Sequence, residues 1–527
     1  MGTLKSPLLG LLLLVSSLAL PRPTLSGFER SNFPKDFYFG TSTAAFQVEG
    51  GASKNGRGPC VWDAFSHDNP ERILDGSNGD VAVDFYNRYR EDFPRMKKMG
   101  LNAFRFSISW SRVIPHGQIR WGVNEEGITF YNNLITQAVK HGLEPFVTIF
   151  HWDTPQALED KYGGFLSRNI VDDYRDFAEL CFQRFGDRVR YWITLNEPWA
   201  YAAFGYARGD FAPGRCSAWV NRACKVGNSA TEPYLVTHHL LLAHAAAVQL
   251  YREKYKETQD GKIGVTLVTW WMEPFSNKAK DRDAAKRALD FNYGWYLDPL
   301  TYGDYPRTMR DYVKDRLPIF TTEDSKMVKG SIDFLGLNYY SARYVQHIDK
   351  VEPERTSFIN DDHANLTYED SEGKSIGPMA GLDWLRVAPF GIRYLLNYTK
   401  DNYQNPNIFI TENGLAHDDS EPLSVIVNDT IRIDYYDEHL GNVSTAMKDY
   451  NVTVSGFFAW SFMDNFEWSS GYTKRFGLTY IDYKNNLKRI PKASLNWFTE
   501  KLTKGKPPSI AKKQSRPILG SSRNMPM

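Results

Sequence analysis

Two glutamates stand in settings where they could do chemistry together. Glu197 lies in the run Thr-Leu-Asn-Glu-Pro at 194–198, and Glu412 lies in the run Ile-Thr-Glu-Asn-Gly at 410–414. Two carboxyl groups flanking a small pocket can cleave a glycosidic bond, because one attacks the anomeric carbon while the other protonates the leaving oxygen. A single glutamate would be interpreted as a solvated surface charge. The interpretation therefore depends on the elements that position both.

The segments around these glutamates alternate between two types. Short runs rich in β-branched and aromatic residues are each followed by a longer segment with helical spacing. The predicted strands are 37–46, 103–110, 145–152, 191–195, 263–270, 334–339, 408–411 and 457–462. Predicted helices include 81–99, 125–141, 170–185, 232–256 and 422–450, the last broken where it starts. Eight β-then-α units predict a single (β/α)8 TIM barrel, with the glutamates at the ends of its fourth and seventh strands.

A doubly wound open sheet is the alternative fold. It would usually offer a Gly-rich turn after its first strand to hold a nucleotide phosphate, and the nearest candidate, 40–42, lacks the later glycines. In the favoured barrel, active sites form at the carboxyl ends of the strands. The side chains at those ends suit the hydroxyl groups and ring face of a neutral sugar: Gln47, His151, Asn338, Glu467 and Trp468.

The composition limits the class of ligand. The 527 residues include 63 Lys and Arg against 62 Asp and Glu, so the formal net charge is +1. No global field would attract nucleic acid or anionic lipid, and a small neutral ligand is expected. The sequence contains neither a nucleotide-binding motif nor a cluster with metal-ligand spacing, so we expect catalysis without a cofactor or metal.

Both ends of the chain are predicted to lie outside the barrel domain, 27–503. Lys5, the apolar run 8–20 and the small residues that follow are typical of a secretory signal peptide, residues 1–26. The apolar run is too short for a membrane span, and no other stretch reaches the ~20 apolar residues that a span needs. Residues 504–527 are predicted to form a flexible tail. We expect entry into the secretory pathway, with the vacuole or the extracellular space and cell wall as destinations.

An oxidising compartment would allow disulfides and glycans. Cys216 and Cys224, eight positions apart in a polar loop, are predicted to form a disulfide, whereas Cys60 and Cys181 are expected to remain thiols. The Asn-x-Ser/Thr pattern marks candidate N-glycosylation sites. These are Asn365, Asn397, Asn428, Asn442 and Asn451.

The ordered motifs resemble those of glycoside hydrolase family 1. The runs 196–198 and 411–414 look like its two signature motifs, and the resemblance extends over roughly 33–498. Supporting segments are 39–50, 105–110 and 460–468. The Gly-Gly-Phe run at 163–165 and the loop between Cys216 and Cys224 are similar to plant-type β-glucosidases.

The resemblance implies a role for each matching position. Glu197 would be the general acid/base and Glu412 the nucleophile of a retaining β-glucosidase, which releases terminal β-D-glucose from small-molecule O-β-glucosides through a covalent glucosyl-enzyme. Arg105 would support the nucleophile. The implied substrate-binding residues are Gln47, His151, Asn196, Asn338, Tyr340, Trp384, Trp460, Glu467, Trp468 and Phe476. Tyr340 would bond the nucleophile, and Trp384 would stack against the aglycone.

Other functions on the same fold stay open. A glucosinolate-cleaving thioglucosidase of this family usually has Gln at the position of Glu197, which argues against that activity. A non-catalytic glycan-binding protein is the second alternative, because fold alone does not fix function. The sequence does not reveal the aglycone, the choice between mono- and disaccharide glycosides, or whether the chain forms a homo-oligomer.

Overall fold

Eight parallel strands form a closed barrel in the computed structural model, which describes residues 27–504. In chain order the barrel strands are Tyr38–Ser42, Ala103–Ser107, Glu144–Phe150, Tyr191–Asn196, Lys262–Val268, Phe334–Asn338, Ile408–Asn413 and Val454–Ala459. Each strand pairs with the next, and the eighth closes on the first with Tyr38 opposite Gly456. The predicted TIM barrel is confirmed. The predicted signal peptide and the predicted tail beyond Lys504 lie outside the described residues.

Six predicted strands extended too far into the following loops, and three of them, the first, second and eighth, did so by three residues or more. Phe46 lies in the short helix Ala45–Val48, and Trp110 begins the helix Trp110–Val113. The eighth strand ends at Ala459, so residues 460–462, which were predicted as strand, lie beyond it. The loops at this end are buried and aromatic like the strands, so composition could not mark the boundary.

Helices alternate with the barrel strands and cover the outside. The α-helices are Ala45–Val48, Val61–Asp68, Phe85–Lys98, Trp110–Val113, Glu125–Lys140, Gln156–Tyr162, Asn169–Phe185, Pro198–Ala202, Glu232–Lys254, Lys256–Gln259, Ala279–Leu289, Trp295–Tyr302, Arg307–Val313, Thr322–Val328, Phe390–Asn402, Leu423–Val427, Thr430–Asp449 and Ala493–Thr503. Two π-helical segments are Ala203–Arg208 and Asp290–Gly294. Short 3-10 turns are Arg30–Asn32, Pro70–Arg72, Ile119–Trp121, Gly164–Leu166, Lys314–Arg316, Pro353–Arg355 and Trp468–Ser470. Within 27–504, no helix combines the length and apolar character that a membrane crossing requires.

The helix Glu125–Lys140 shows how the sequence produces this layer. Its buried residues recur every three or four positions and face the barrel: Ile128, Tyr131, Leu134, Ile135 and Ala138. Glu125 and Glu126 occupy the first turn and Lys140 the last, which matches the helix dipole at both ends. The predicted helix 422–450 is broken near its start, as expected: it is two helices, interrupted at Asn428 and Asp429.

Small sheets extend the loops that follow the barrel strands. Strands Trp271–Pro274, Ala342–His347 and Ala364–Thr367 form one three-stranded sheet after the fifth and sixth barrel strands. Met379–Ala380 pairs with Leu382–Arg386, His417–Asp418 with Lys474–Arg475, and Thr479–Asp482 with Lys488–Pro491. Hydrogen bonding within these sheets holds the loop backbone in place, so the loops can keep their side chains in fixed positions.

An aromatic cluster fills the interior of the barrel toward the amino ends of the strands. Its aromatic members are Tyr38, Phe146, Tyr191, Phe334, Phe409 and Phe458. Phe146 stacks on Tyr191 with ring centroids 4.2 Å apart, and Phe409 contacts the rings of Phe146 and Phe334 at 5.1 and 5.2 Å. Because these rings fill the barrel at the amino ends of the strands, a cavity can open only at the carboxyl ends.

All four cysteines are buried, whereas the candidate glycan sites differ in burial. Cys216 and Cys224 form a disulfide, while Cys60 and Cys181 are buried thiols, as predicted. Asn365, Asn428 and Asn451 are exposed, and Asn397 is half-buried. Asn442 is 2% exposed inside the helix Thr430–Asp449, and its amide donates to the Glu438 carbonyl at 2.9 Å. The folded protein has no room for a glycan at Asn442, so that candidate is wrong.

We expect Phe409→Ala to lower the free energy of unfolding by about 3–5 kcal/mol, because it opens a cavity among rings that cannot collapse together. Chemical denaturation followed by intrinsic fluorescence measures this change. Ile319→Ala is the matched control: its side chain is 80% exposed, so the free energy should change by less than about 0.5 kcal/mol. Equal effects of the two substitutions would contradict the role given to the aromatic cluster.

Candidate active site

A cavity of about 890 Å³ opens where the carboxyl ends of the barrel strands meet. It is lined by most of the predicted site residues: Gln47, His151, Asn196, Glu197, Tyr340, Trp384, Glu412, Trp460, Glu467, Trp468 and Phe476. Arg105 and Asn338 do not line it. These two lie against the carboxyl groups from inside the barrel, fully buried.

Glu412 is the better compensated of the two carboxyl groups. It lies near the end of the seventh barrel strand, is 3% exposed, and pairs in register with Asn338 of the sixth. The Arg105 guanidinium donates to its Oε1 at 2.5 Å, and the Tyr340 hydroxyl donates to Oε2 at 2.7 Å. Each carboxyl oxygen therefore has a donor, and a full positive charge lies beside a buried acid.

Glu197 occupies a different environment. It follows the fourth barrel strand in the left-handed backbone region, with φ of 42°, and the helix Pro198–Ala202 begins immediately after it. Proline at the first helical position suits this abrupt change of direction. A non-glycine residue in this region costs roughly 1–3 kcal/mol, and such strain concentrates at functional sites. The turn directs the carboxyl group into the cavity.

The surroundings of Glu197 favour its protonated form. The side chain is buried, and its pKa is raised to about 8, first by burial and then by the negative charge of Glu412. The amide of Asn338 donates to its Oε1 at 2.5 Å, which acts in the opposite direction and lowers the pKa. The cavity thus contains one carboxyl group beside a cation and a second that holds its proton near neutral pH.

Asn338 differs from its predicted place. Its amide nitrogen donates to Glu197 Oε1 and to Asn196 Oδ1, and its oxygen accepts from Thr411 Oγ1 at 2.7 Å. With these bonds made and the side chain fully buried, Asn338 cannot contact a sugar in the cavity. The prediction that it binds substrate is therefore wrong, and its contact is with Glu197.

A hydrogen-bonded layer links the second, third and fourth barrel strands. Arg105 Nη2 donates to Asn196 Oδ1 at 2.6 Å, and the Asn196 amide lies 3.0 Å from His151 Nε2. Burial and the nearby Arg105 lower the pKa of His151 well below its usual range, so the ring is neutral. Because Nε2 accepts from the Asn196 amide, this hydrogen-bond pattern assigns the proton to Nδ1.

Four buried polar atoms on the cavity residues lack a partner within 27–504: His151 Nδ1, Gln47 Oε1, Glu467 Oε2 and, on the outer wall, Trp199 Nε1. Gln47 already donates its amide to Asn465 Oδ1 and the Phe466 carbonyl, both at 2.9 Å. Burial, and then Glu412, raise the pKa of Glu467 to about 8. Buried polar atoms without partners are rare and costly. A ligand rich in hydroxyl groups, each of which can donate and accept, would satisfy the atoms of His151, Gln47 and Glu467 at once.

Indole rings form the other walls. Trp460 and Trp468 flank the His151 ring at 6.2 and 5.9 Å, each tilted by 20° from it. Trp152, which was not among the predicted site residues, lines the cavity and contacts Trp468 at 4.5 Å. Its indole N–H donates to the Asn196 carbonyl at 2.8 Å. Its place beside His151 at a strand end was the signal that could have identified it.

The outer part of the cavity comes from loop residues that the sequence did not indicate. Aromatic and apolar members are Trp199, Phe204, Phe211, Trp270, Leu366, Tyr368 and Leu382; charged members are Glu71, Arg72, Arg208, Asp210 and Arg343. Two residues of the disulfide loop, Asn221 and Ala223, also line this part. Among the described side chains, no group of three or more His, Cys, Asp or Glu could hold a metal ion.

Comparisons with known proteins agree with this arrangement. The model of glycosyl hydrolase family 1 matches residues 29–506. β-Glucosidase 12 of Oryza sativa subsp. indica is 54% identical over 477 residues, 90% of this chain and 93% of the relative. Furcatin hydrolase of Viburnum furcatum is 50% identical over 507 residues, 94% of this chain and 93% of the relative. A solved rice β-glucosidase variant, in a covalent complex with glucose, has a TM-score of 0.88 at 47% identity, covering 90% of this chain and 99% of that one. The chain therefore belongs to glycosyl hydrolase family 1.

Proposed function

We propose that this chain is a retaining β-glucosidase in which Glu412 is the nucleophile and Glu197 the general acid/base. One observation carries the assignment of roles: two buried carboxyl groups share a cavity but differ in their partners. Arg105 and Tyr340 donate to Glu412, which suits an ionised nucleophile. Glu197 has an amide neighbour, and its pKa is raised to about 8, which suits a proton donor.

The first step forms a covalent intermediate. Glu412 attacks the anomeric carbon of the β-glucoside while Glu197 transfers its proton to the glycosidic oxygen, so the aglycone leaves as an alcohol or phenol. Glu412 is then bonded to the sugar as an α-glucosyl ester. Ester formation neutralises the negative charge of Glu412. After burial itself, this charge was the main cause of the raised pKa of Glu197. Glu197 is therefore more readily ionised when a base is needed.

The second step releases glucose. Glu197 removes a proton from water, the water oxygen attacks the anomeric carbon, and the bond to Glu412 breaks. Two inversions give β-D-glucose and return both carboxyl groups to their starting states. The partnerless atoms of Gln47, His151 and Glu467 would bind hydroxyl groups of the sugar, Asn196 would contact the 2-hydroxyl, and Trp460 and Trp468 would cover its faces.

We also propose plant metabolite O-β-glucosides as the substrate class, reached through the secretory pathway. A relative named furcatin hydrolase is 50% identical to this chain. The cavity of about 890 Å³ has room for glucose and a sizeable aglycone, with Trp384 and Phe476 on its walls. The disulfide between Cys216 and Cys224 suits an oxidising compartment, either the vacuole or the cell wall.

Removing each carboxyl group should give opposite azide products. Glu412→Gly should abolish the glycosyl-enzyme, and with added azide and an activated substrate it should yield α-glucosyl azide, because a small anion can enter from the nucleophile's side. Glu197→Ala should still form the covalent intermediate from a good leaving group, and azide then attacks the opposite face to give β-glucosyl azide. Proton NMR of the products distinguishes the anomers.

The unsubstituted enzyme is the control in the azide experiment. It should release β-glucose first, as followed by NMR before mutarotation. α-Glucose as the first product, or azide anomers the reverse of those expected, would show that the roles of the two glutamates are wrongly assigned.

The pH dependence of kcat/KM should reflect the acid role of Glu197. With a pKa of about 8, Glu197 loses its proton as the pH rises through 8, so the activity should fall on that basic limb. Asn338→Ala removes a hydrogen bond that lowers the pKa. The pKa of Glu197 should therefore rise and the basic limb should move to higher pH. A limb that stays or moves lower would contradict this coupling.

A 2,4-dinitrophenyl glucoside provides the control substrate for that pH profile. Its leaving group needs no proton, so its kcat/KM should be much less sensitive to the ionisation of Glu197 in the wild type and in Asn338→Ala. A basic limb of equal depth for this substrate would assign the pH dependence to another group.

Trp384 should serve the leaving group. Its indole lies edge-on to Tyr340, with ring centroids 5.9 Å apart, and lines the cavity. Trp384→Ala should raise KM several-fold for aryl glucosides, because their rings lose a stacking surface worth about 1 kcal/mol, and should change KM less for alkyl glucosides. Steady-state kinetics on both series makes the comparison. Equal losses would place Trp384 in the sugar subsite.

A further inference from the structure

Arg343 is a buried cation in the wall of the cavity that the proposed mechanism does not use. It lies in the loop strand Ala342–His347, just after the sixth barrel strand, and is 5% exposed. Nη1 donates to the Ala342 carbonyl at 2.7 Å and to Ser341 Oγ at 3.1 Å, and Nη2 donates to the Trp384 carbonyl. Nε has no acceptor in the described part of the chain. These hydrogen bonds fix the position of the guanidinium and still leave N–H groups on Nε and Nη2 without an acceptor among the described residues.

The charge of Arg343 is not balanced. No carboxylate among residues 27–504 comes within salt-bridge distance of it; instead it lies over the rings of Trp270 and Tyr368, at 5.4 and 4.6 Å. Burial lowers its pKa to about 10, and Arg386 adds to that effect, although Tyr368 opposes it. Buried arginines are nearly always paired, because an uncompensated charge is costly to remove from water. An anion that arrives with the substrate would compensate this one.

The position of Arg343 relative to the carboxyl groups follows from a chain of contacts. Tyr340 bonds Glu412, the Tyr340 ring meets Trp384, and Arg343 binds the Trp384 carbonyl. Arg343 is therefore linked to the nucleophile only through Trp384 and Tyr340, and it lies next to Trp384 on the cavity wall. A flat aglycone stacked on Trp384 would direct the end remote from the sugar toward Arg343.

The other charged residues of the cavity do not supply a counter-ion in this region. Asp210 is 3.0 Å from Arg208 and so is already paired, and Arg72 donates to the Gly209 carbonyl. Glu71, also on the wall, lies beside Arg72 in the 3-10 turn Pro70–Arg72. These rim charges offset one another, whereas Arg343 is left with aromatic neighbours and carbonyl groups.

We propose that Arg343 gives this enzyme a preference for β-glucosides whose aglycone is a flat ring bearing a carboxylate at the end remote from the glucosidic oxygen. The inference rests on the proposed β-glucosidase function and specifies the substrate class of the same cavity. The carboxylate would accept from the spare N–H groups of Arg343, a charge-assisted pair of the kind that arginine favours. A neutral aglycone of the same shape would leave the buried charge uncompensated.

The test compares three glucosides with one leaving group. They are the phenolic β-glucosides of 3-(4-hydroxyphenyl)propanoic acid, of its primary amide and of its methyl ester, assayed at about pH 6, where the acid is ionised. The saturated linker keeps the phenol equally acidic in all three, so kcat/KM reports recognition of the remote group. Wild-type enzyme should prefer the acid to the amide by about tenfold or more, the ratio given by one charge-assisted hydrogen bond of about 1.4 kcal/mol.

Two matched variants test whether Arg343 causes the preference for the acid over the amide. Arg343→Met keeps the length of the side chain without its charge, and the acid-to-amide ratio should fall to about one, even if a shift of Trp384 slows all three substrates. Arg386→Met is the control. Its guanidinium lies 4.1 Å from the Tyr368 ring and bonds the Asp383 carbonyl, but it does not line the cavity. Its ratio should stay within about twofold of the wild type.

The outcomes separate the two proposals. Turnover of the amide and the ester would support the β-glucosidase function whatever the preference, and failure to hydrolyse any of the three would count against that function. A wild-type acid-to-amide ratio near one would overturn the role of Arg343 without any variant. A tenfold ratio that survives Arg343→Met, or that is lost equally in Arg386→Met, would overturn it as well.

Discussion

The burial of two carboxyl groups in one cavity is the constraint on which the rest of the site depends. Glu197 and Glu412 are 7% and 3% exposed, so neither can rely on water to stabilise a charge. Two ionised carboxylates side by side would repel, and two neutral ones would lack a nucleophile. The structure resolves this conflict with unequal partners: Arg105 and Tyr340 stabilise the charge on Glu412, while burial and that same charge keep the proton on Glu197.

A closed barrel can deliver these partners because the carboxyl ends of all its strands surround one mouth. Arg105, Asn196, Asn338 and Glu412 come from the second, fourth, sixth and seventh strands and meet in one hydrogen-bonded layer. The ladder register shifts near the ends of the fourth and seventh strands, the two that lead to the glutamates. Such irregularities re-aim side chains at active sites. The layer thus combines regular strand geometry with local departures from it.

The sequence predicted what depends on local pattern and missed what depends on three-dimensional neighbours. The barrel and the strand-end glutamates followed from alternation and motif, and the disulfide from the short spacing of Cys216 and Cys224 in a polar loop. Asn338 was assigned to the sugar because strand-end amides suit hydroxyl groups, yet Glu197 and Thr411 occupy its hydrogen-bonding groups. Asn442 matched a three-residue acceptor pattern that carries no information on burial in a helix. The predicted strands extended past the observed strand ends because the loops there are as aromatic as the strands.

The two ends of the cavity are built from different parts of the fold, and this separates reaction from specificity. Gln47, His151 and Glu467 lie in the segments that follow the first, third and eighth barrel strands, so their unsatisfied atoms are fixed by the same framework as the carboxyl groups. Trp384 and Arg343 lie on small loop sheets whose sequences can change without moving that framework. Arg343 binds the backbone of Trp384 and not its ring. A substitution at Arg343 thus acts on charge recognition and on ring placement together, so selectivity between two aglycones of equal shape reports the charge alone.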